Sequence, residues 1–483
     1  MDSTGNDAMK AADAETNKMG FLSCSSYVIG NIIGAGIFIT PVSIVNEVGS
    51  VGLSLIIWII SGLIALIGSI VFIELGTSIV EPGCDFAYVC YVKWNAIAFA
   101  FMWVGVFITF PASIAVQAQT FGRYIVEGIA PFVNVTEPYD VVCSTALAFI
   151  LLALIVWINF QSLEEFAAKF QIIVTIAKLG SMALVICAGF YLLIVEGKTS
   201  NLQNPFQNTN WSVGNIVFGL YAGAWSYAGW DVLNYGTPEI RKPEKTMPLS
   251  LIVGIAVVSL VYTLTNVSYF VVLSVDEVKN TTAIAATFSQ RALGNFSYIV
   301  PFMVAILICG TLNSNIFCGS RLAYTLLLLL IVVFCMYAAA REGHLPAFLS
   351  CINHENGSPR AALLAQAIIT AAMMFADSDK LIEYVSFVMF FQRIVTMIAL
   401  LWIRYKKIAV HPGAIRVPII LTWLFLLISV ALVAIPLVTN FVTTFVGILI
   451  VIAGVIFYTT VLKRDSIPSK VEKISGKLIA THF

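Results

Sequence analysis

Apolar residues fall along this chain in blocks of about twenty, each closed by a short polar connection. That is the length that carries a helix across a roughly 30 Å hydrocarbon core. The blocks lie at 21–45, 51–79, 96–122, 141–160, 167–195, 213–235, 249–274, 298–340, 361–376, 382–404, 416–437 and 441–462. They predict an all-α polytopic membrane protein with twelve transmembrane helices and no loop long enough for a soluble domain. A tail over 1–20 precedes a membrane domain over 21–462, and a polar tail over 463–483 follows it. The first twenty residues lack an apolar h-region and a small-residue cleavage site, so the first span is expected to act as an uncleaved signal. The eighth block is anomalous, because Tyr298 to Ala340 would make a helix of about 65 Å. Within it, Thr325 to Tyr337 is expected to be re-entrant or interfacial, or an artefact of the gene model.

Composition agrees. With 59% hydrophobic and 11% charged residues and a mean hydropathy of +0.94, the chain lacks the polar surface that a water-soluble globule needs. A net charge of zero argues against a nucleic-acid partner. Placing the N-terminus inside puts Arg123, Lys198, Lys279, Arg291 and Lys380 in outer loops, buries Lys178, Arg321 and Arg393 in apolar blocks, and leaves the other basic residues cytosolic. Both termini are then cytosolic. The sequons at Asn134, Asn210 and Asn280 fall in outer loops, as glycosylation requires, whereas Asn356 falls inside. Nine scattered cysteines with no CxxC and no histidine cluster give no reason to expect a metal or redox site, nor any cofactor.

Two glycine-rich stretches interrupt this regularity at matching places. "GNIIGAGIF" carries Gly30, Gly34 and Gly36 in the first block, and "GLYAGAWSYAGWDVLNY" carries Gly219, Gly223 and Gly229 in the sixth. Glycine-interrupted helices in corresponding positions of two halves point to inverted repeats with a binding site at the bilayer midplane. Repeat one would cover about 21–195 and repeat two about 213–404, with accessory spans at about 416–462. Where the first helix unwinds, the N–H groups of Gly34, Ala35 and Gly36 can receive a carboxylate. Carbonyls freed near Trp225, Ser226 and Ala228 can receive an ammonium. An α-amino acid carries both groups. The alternative is close helix packing through the small-xxx-small pair Gly30 and Gly34.

These stretches, with "ELGTSIVEPGCDFAYV", "VYTLTNVSYFVVLS", "GTLNSNIFCGSRL" and "AAREGHLP", resemble the L-type amino acid transporters. These are the light subunits of heteromeric amino acid transporters, in the amino acid–polyamine–organocation superfamily. The resemblance runs from about Phe21 to Arg464. It implies a LeuT-like fold of five plus five inverted spans and two more, with sodium-independent exchange of large neutral amino acids at the plasma membrane. It assigns the substrate to Ile33, Gly34, Ala35, Gly36, Trp225, Ser226 and Ala228, with the Trp225 ring as outer gate. Lys178 lies 13 residues past Glu165, about 20 Å along a helix and too deep to snorkel. It resembles the lysine that replaces sodium in such relatives, so it is expected to bridge the unwound first span to the eighth.

Several residues depart from the family pattern. Val133 stands where the light subunits carry the cysteine for a heavy subunit, and the nearest thiol is Cys143, so no disulfide-linked partner is expected. Ala35 replaces the usual serine. Asp231 replaces a common asparagine; it could sense an ammonium or a cationic side chain, or pair with a base. Ala228 stands where the dibasic-transporting relative has an aspartate, which favours neutral substrates, though Asp231 leaves open an exchanger that also takes cationic amino acids. Arg393 is mid-membrane, as a translocation-path residue or a salt-bridge partner of Asp231. The terminal Thr481-His482-Phe483 fits a PDZ ligand. The rival to transport is a transport-deficient amino acid sensor or structural membrane partner. No nucleophile–base set supports an enzyme.

Overall fold

The computed structural model describes residues 20–80, 84–129, 132, 139–160, 164–234, 237, 240–313, 315–316, 360–439 and 441–462. The tails, the Thr325 to Tyr337 segment, Val133, Asn134, Asn356 and the carboxyl-terminal Thr481-His482-Phe483 lie outside them. Each of the twelve apolar blocks contains a described helix, and no described residue belongs to a strand.

The first block holds α1 (Phe21–Ile32) and α2 (Gly36–Val48), set at 46° to each other across a three-residue break. Helix α3 (Val51–Ser78) follows after Gly49, whose left-handed φ of +72° closes α2. A short α4 (Asp85–Tyr91) leads into the third block, where α5 (Asn95–Val104) passes through a π-helical turn at Gly105–Thr109 into α6 (Phe110–Ile129). The fourth and fifth blocks form α7 (Tyr139–Phe160) and α8 (Glu164–Ile194).

In the sixth block α9 (Val213–Ser226) stops where the sequence pattern runs on to 235, and turns with a 3₁₀ segment at Val232–Asn234 replace its second half. The second half of the chain continues with α10 (Pro243–Val272), the short helices α11 (Val275–Asn280) and α12 (Ile284–Ala292), and α13 (Ile299–Asn313). Helices α14 (Arg360–Met373), α15 (Ser378–Lys406), α16 (Ile419–Thr439) and α17 (Phe441–Phe457) complete the described set. Proline opens α10, and the Asp377 side chain caps α15 by accepting from the N–H groups of Asp379 and Lys380 at 2.8 and 3.4 Å.

Helices from the two halves interleave. Helix α9 packs on α2, α3 and α15, and α10 packs on α1, α3 and α8, so the interrupted helices meet in the middle of the bundle. Helix α7 turns Ile150, Leu154 and Trp157 outward and α16 turns out Leu424 and Leu427, as suits a surface bathed by lipid. Apolar attraction does little between such helices, and close packing and interhelical hydrogen bonds hold them instead. One such tie is the buried Glu74 of α3. Its carboxylate accepts from Arg404 Nε at 2.8 Å and from the Val417 N–H at 3.0 Å, while Arg404 Nη2 donates to the Val417 carbonyl at 2.6 Å. Spans two, ten and eleven are thereby pinned at one point.

Candidate functional site

The break between α1 and α2 falls at Ile33, Gly34 and Ala35, and leaves the last carbonyls of α1 without their usual helical donors. The Ile33 N–H still serves Ile29 O at 2.9 Å, but beyond it other parts of the chain supply the donors: Lys178 Nζ reaches Gly30 O at 3.1 Å, and the Tyr262 hydroxyl of α10 donates to Ile32 O at 2.8 Å. On the far side of the break, no acceptor is found among the described residues for the N–H groups of Ala35 and Gly36. These donors lie at the positive start of α2.

The end of α9 faces this break. The Ser226 carbonyl accepts from Tyr262 at 3.2 Å, the Trp225 carbonyl from the Ala228 N–H at 3.1 Å, and the Gly229 carbonyl from Asn31 Nδ2 at 3.1 Å. The hydroxyls of Thr40 and Ser226 lie 2.6 Å apart. Two glycines make this approach feasible. A Cβ on Gly36 would sit 2.7 Å from Ser226 Cα, and Gly229 holds a left-handed φ of +98° with Asn31 Nδ2 2.3 Å from where its Cβ would be. A Cβ on Gly30, by contrast, would meet nothing within 4 Å. Gly36 and Gly229 therefore serve the contact between the two breaks, whereas no described side chain lies where a Cβ on Gly30 would be.

Trp225 is buried in an apolar cluster with Ala112 and Ala115 of α6, Leu312 of α13 and Leu381 of α15. Ile33 and Ala35 are buried. Lys178 is 3% exposed, deep in α8, and its ammonium contacts the first span as the sequence suggests. A contact with the eighth span is not found among the described residues. Helix α13 instead approaches the break through Thr311, whose methyl would lie 3.6 Å from a Cβ on Gly34.

Asp231 and Arg393 find each other. Arg393 Nη2 donates to Asp231 Oδ2 at 2.5 Å, and Nη1 donates to Asp85 Oδ2. The Thr396 hydroxyl donates to Asp85 Oδ1 at 2.6 Å, and the Cys84 thiol lies 3.9 Å from the Asp231 carboxylate. Of the alternatives open to Asp231 in the sequence, pairing with a base describes this structure. Its carboxylate faces Arg393 and not the break, because a lone charge here would cost far more than a paired one. Arg393 is likewise a salt-bridge partner and not a bare residue on a path. Three neighbours in this region, Asp85, Tyr262 and Thr40, were not singled out by sequence. Asp85 is 308 positions from Arg393, and Tyr262 and Thr40 sit in helices where such residues ordinarily pack without special duty.

The sequence pattern of the amino acid permease family matches residues 19–461. This chain belongs to that family. It is 42% identical over 458 residues to amino acid transporter protein 6 of Caenorhabditis elegans, covering 95% of this chain and 85% of that protein. It is 35% identical over 458 residues to the Asc-type amino acid transporter 1 of Mus musculus, covering 93% and 82%. Against the human cystine/glutamate transporter it is 34% identical over 465 residues, covering 96% and 89%. The resemblance to the light subunits of heteromeric amino acid transporters thus holds over the whole membrane domain, and the family's members are transporters, not enzymes.

Proposed function

We propose that this permease is a sodium-independent exchanger of neutral amino acids at the plasma membrane, with both termini in the cytosol. The observation that carries the proposal is the pair of facing breaks, with N–H groups that find no acceptor among the described residues on one side, carbonyls on the other and a buried ammonium beside them. A zwitterion would place its carboxylate on the Ala35 and Gly36 donors and its ammonium on the carbonyls of Trp225, Ser226 and Ala228. Ile33 and Gly34 would shape the backbone around it, and the Trp225 ring would cover it from outside. Lys178 would provide the fixed charge for which sodium-coupled transporters recruit an ion. Rocking of one bundle of spans against the other would then expose the site to either side in turn.

In this conformation Thr40 and Ser226 touch, so a bound amino acid would have to part them. The exposed Asn210 and Asn280 suit glycosylation on the outer face. Cys143 is exposed at the start of α7, ten positions beyond Val133, and no disulfide-linked heavy subunit is expected. Non-reducing electrophoresis of the native protein should show one band that reductant leaves in place.

The deciding experiment reconstitutes the purified protein in liposomes preloaded with unlabelled leucine and follows labelled leucine uptake. Uptake stimulated several-fold by internal leucine and indifferent to sodium is the expected result. No uptake of any of the twenty amino acids by folded protein would overturn the proposal. Lys178→Met should abolish uptake with or without sodium, and unchanged transport would remove the lysine from its role.

A further inference from the structure

Arg393 is held as a guanidinium ligand is held in a receptor. The Asp85 and Asp231 carboxylates take its edge, while the rings of Phe72 and Trp230 lie 4.6 and 4.8 Å from its central carbon. Edge-on carboxylates with aromatic faces are the arrangement that recognises a planar cation. Its parts come from four elements: α3 (Phe72), α4 (Asp85), the unwound sixth span (Trp230 and Asp231) and α15 (Arg393). Thr396 holds Asp85 in place, and Tyr88, whose hydroxyl donates to Asn234 at 3.1 Å, stands next to it.

This receptor adjoins the break. A cavity of about 20 Å³, room for roughly one water molecule, is lined on one side by Ala224 and Tyr227 at the end of α9 and on the other by Trp230 and Arg393. Ser61 also lines it, and its buried hydroxyl has no hydrogen-bond partner among the described residues. The guanidinium and the end of α9 thus border one small cavity.

We propose that Arg393 is a tethered cation that fills a carboxylate subsite for basic side chains, and so restricts this permease to neutral amino acids. The inference rests on the site assigned under Proposed function and extends it to substrate class. An arriving lysine or arginine side chain meets a like charge, and the carboxylates that could neutralise it are already taken. With Arg393 shortened, Asp85, Asp231 and the two rings remain as a vacant site for a free guanidinium.

The test has a binding arm and a transport arm. Purified full-length Arg393→Ala is heated in detergent with millimolar methylguanidinium, and with methylammonium or sodium at equal ionic strength. A saturable rise in melting temperature is expected with methylguanidinium, larger than with methylammonium and absent in the wild type. In proteoliposomes the ratio of arginine to leucine uptake should rise at least tenfold over the wild type, while Arg393→Lys keeps arginine excluded. Should Arg393→Ala not be recovered folded, Arg393→Ala/Asp85→Asn retains Asp231 with one less buried charge and carries the same arms.

Absence of guanidinium stabilisation in the folded variant, or wild-type arginine uptake equal to that of leucine, overturns the proposal. Wild-type protein that transports nothing would count against the transport reading alone, because the binding arm still decides the subsite.

Discussion

At the breaks of the first and sixth spans, buried polarity is carried by peptide groups, hydroxyls and a single ammonium. Beside them, between Phe72 and Trp230, it is carried by two carboxylates and a guanidinium. Dipoles can be left partly unmatched in a membrane protein and matched again by a ligand. Full charges cannot, and so they are paired within the chain. The break is therefore where something can come and go, and the ion cluster is where the chain fixes its own structure.

That contrast can be broken by substitution. Removing one member of the ion cluster should hurt most: Arg393→Met is expected to cost about 3–5 kcal/mol by stranding two carboxylates. The fully neutral Asp85→Asn/Arg393→Met/Asp231→Asn should recover most of this in a thermal-denaturation comparison. If the triple variant is no more stable than the single one, charge pairing is not what matters there.

Next comes the contact between the breaks. Gly36→Ala places a methyl group against Ser226 and should lose about 1–3 kcal/mol with most of the uptake. Tyr262→Phe removes the hydroxyl shared by the two breaks, and a loss of about 0.5–1.5 kcal/mol, seen as a few-fold fall in uptake rate, is expected. Gly30→Ala is the control on the same helix. It should be neutral or gain up to about 1 kcal/mol, since its new methyl group meets nothing. Equal damage at Gly30 and Gly36 would mean that glycine matters there for helix flexibility and not for approach.

The sequence foretold these features unevenly. The spans were legible because lipid demands long apolar runs, and the two breaks because glycines cluster at matching places of two halves, although close helix packing leaves the same kind of signal. Lys178 and Arg393 stood out by charge alone, since a base at that depth needs a partner. The partners themselves were less legible. Asp231 was nameable because it is an acid within the sixth block, but Asp85 looks like an ordinary residue at a helix start, where an acid is unremarkable. The end of α9 at Ser226, short of the 235 that hydropathy suggests, is set by its tertiary contacts with the first span. Hydropathy is blind to whether an apolar backbone is coiled. Tyr262 gave no signal, because an aromatic ring on an apolar helix reads as filling.

Tyr262 has one hydroxyl hydrogen and two carbonyls within reach, Ile32 at 2.8 Å and Ser226 at 3.2 Å. A single proton cannot serve both at full strength. Whichever oxygen it favours, the other keeps lone-pair capacity. This shortfall is built into the stoichiometry of the side chain, and a visiting ammonium, with three hydrogens to give, is the kind of guest that makes it good.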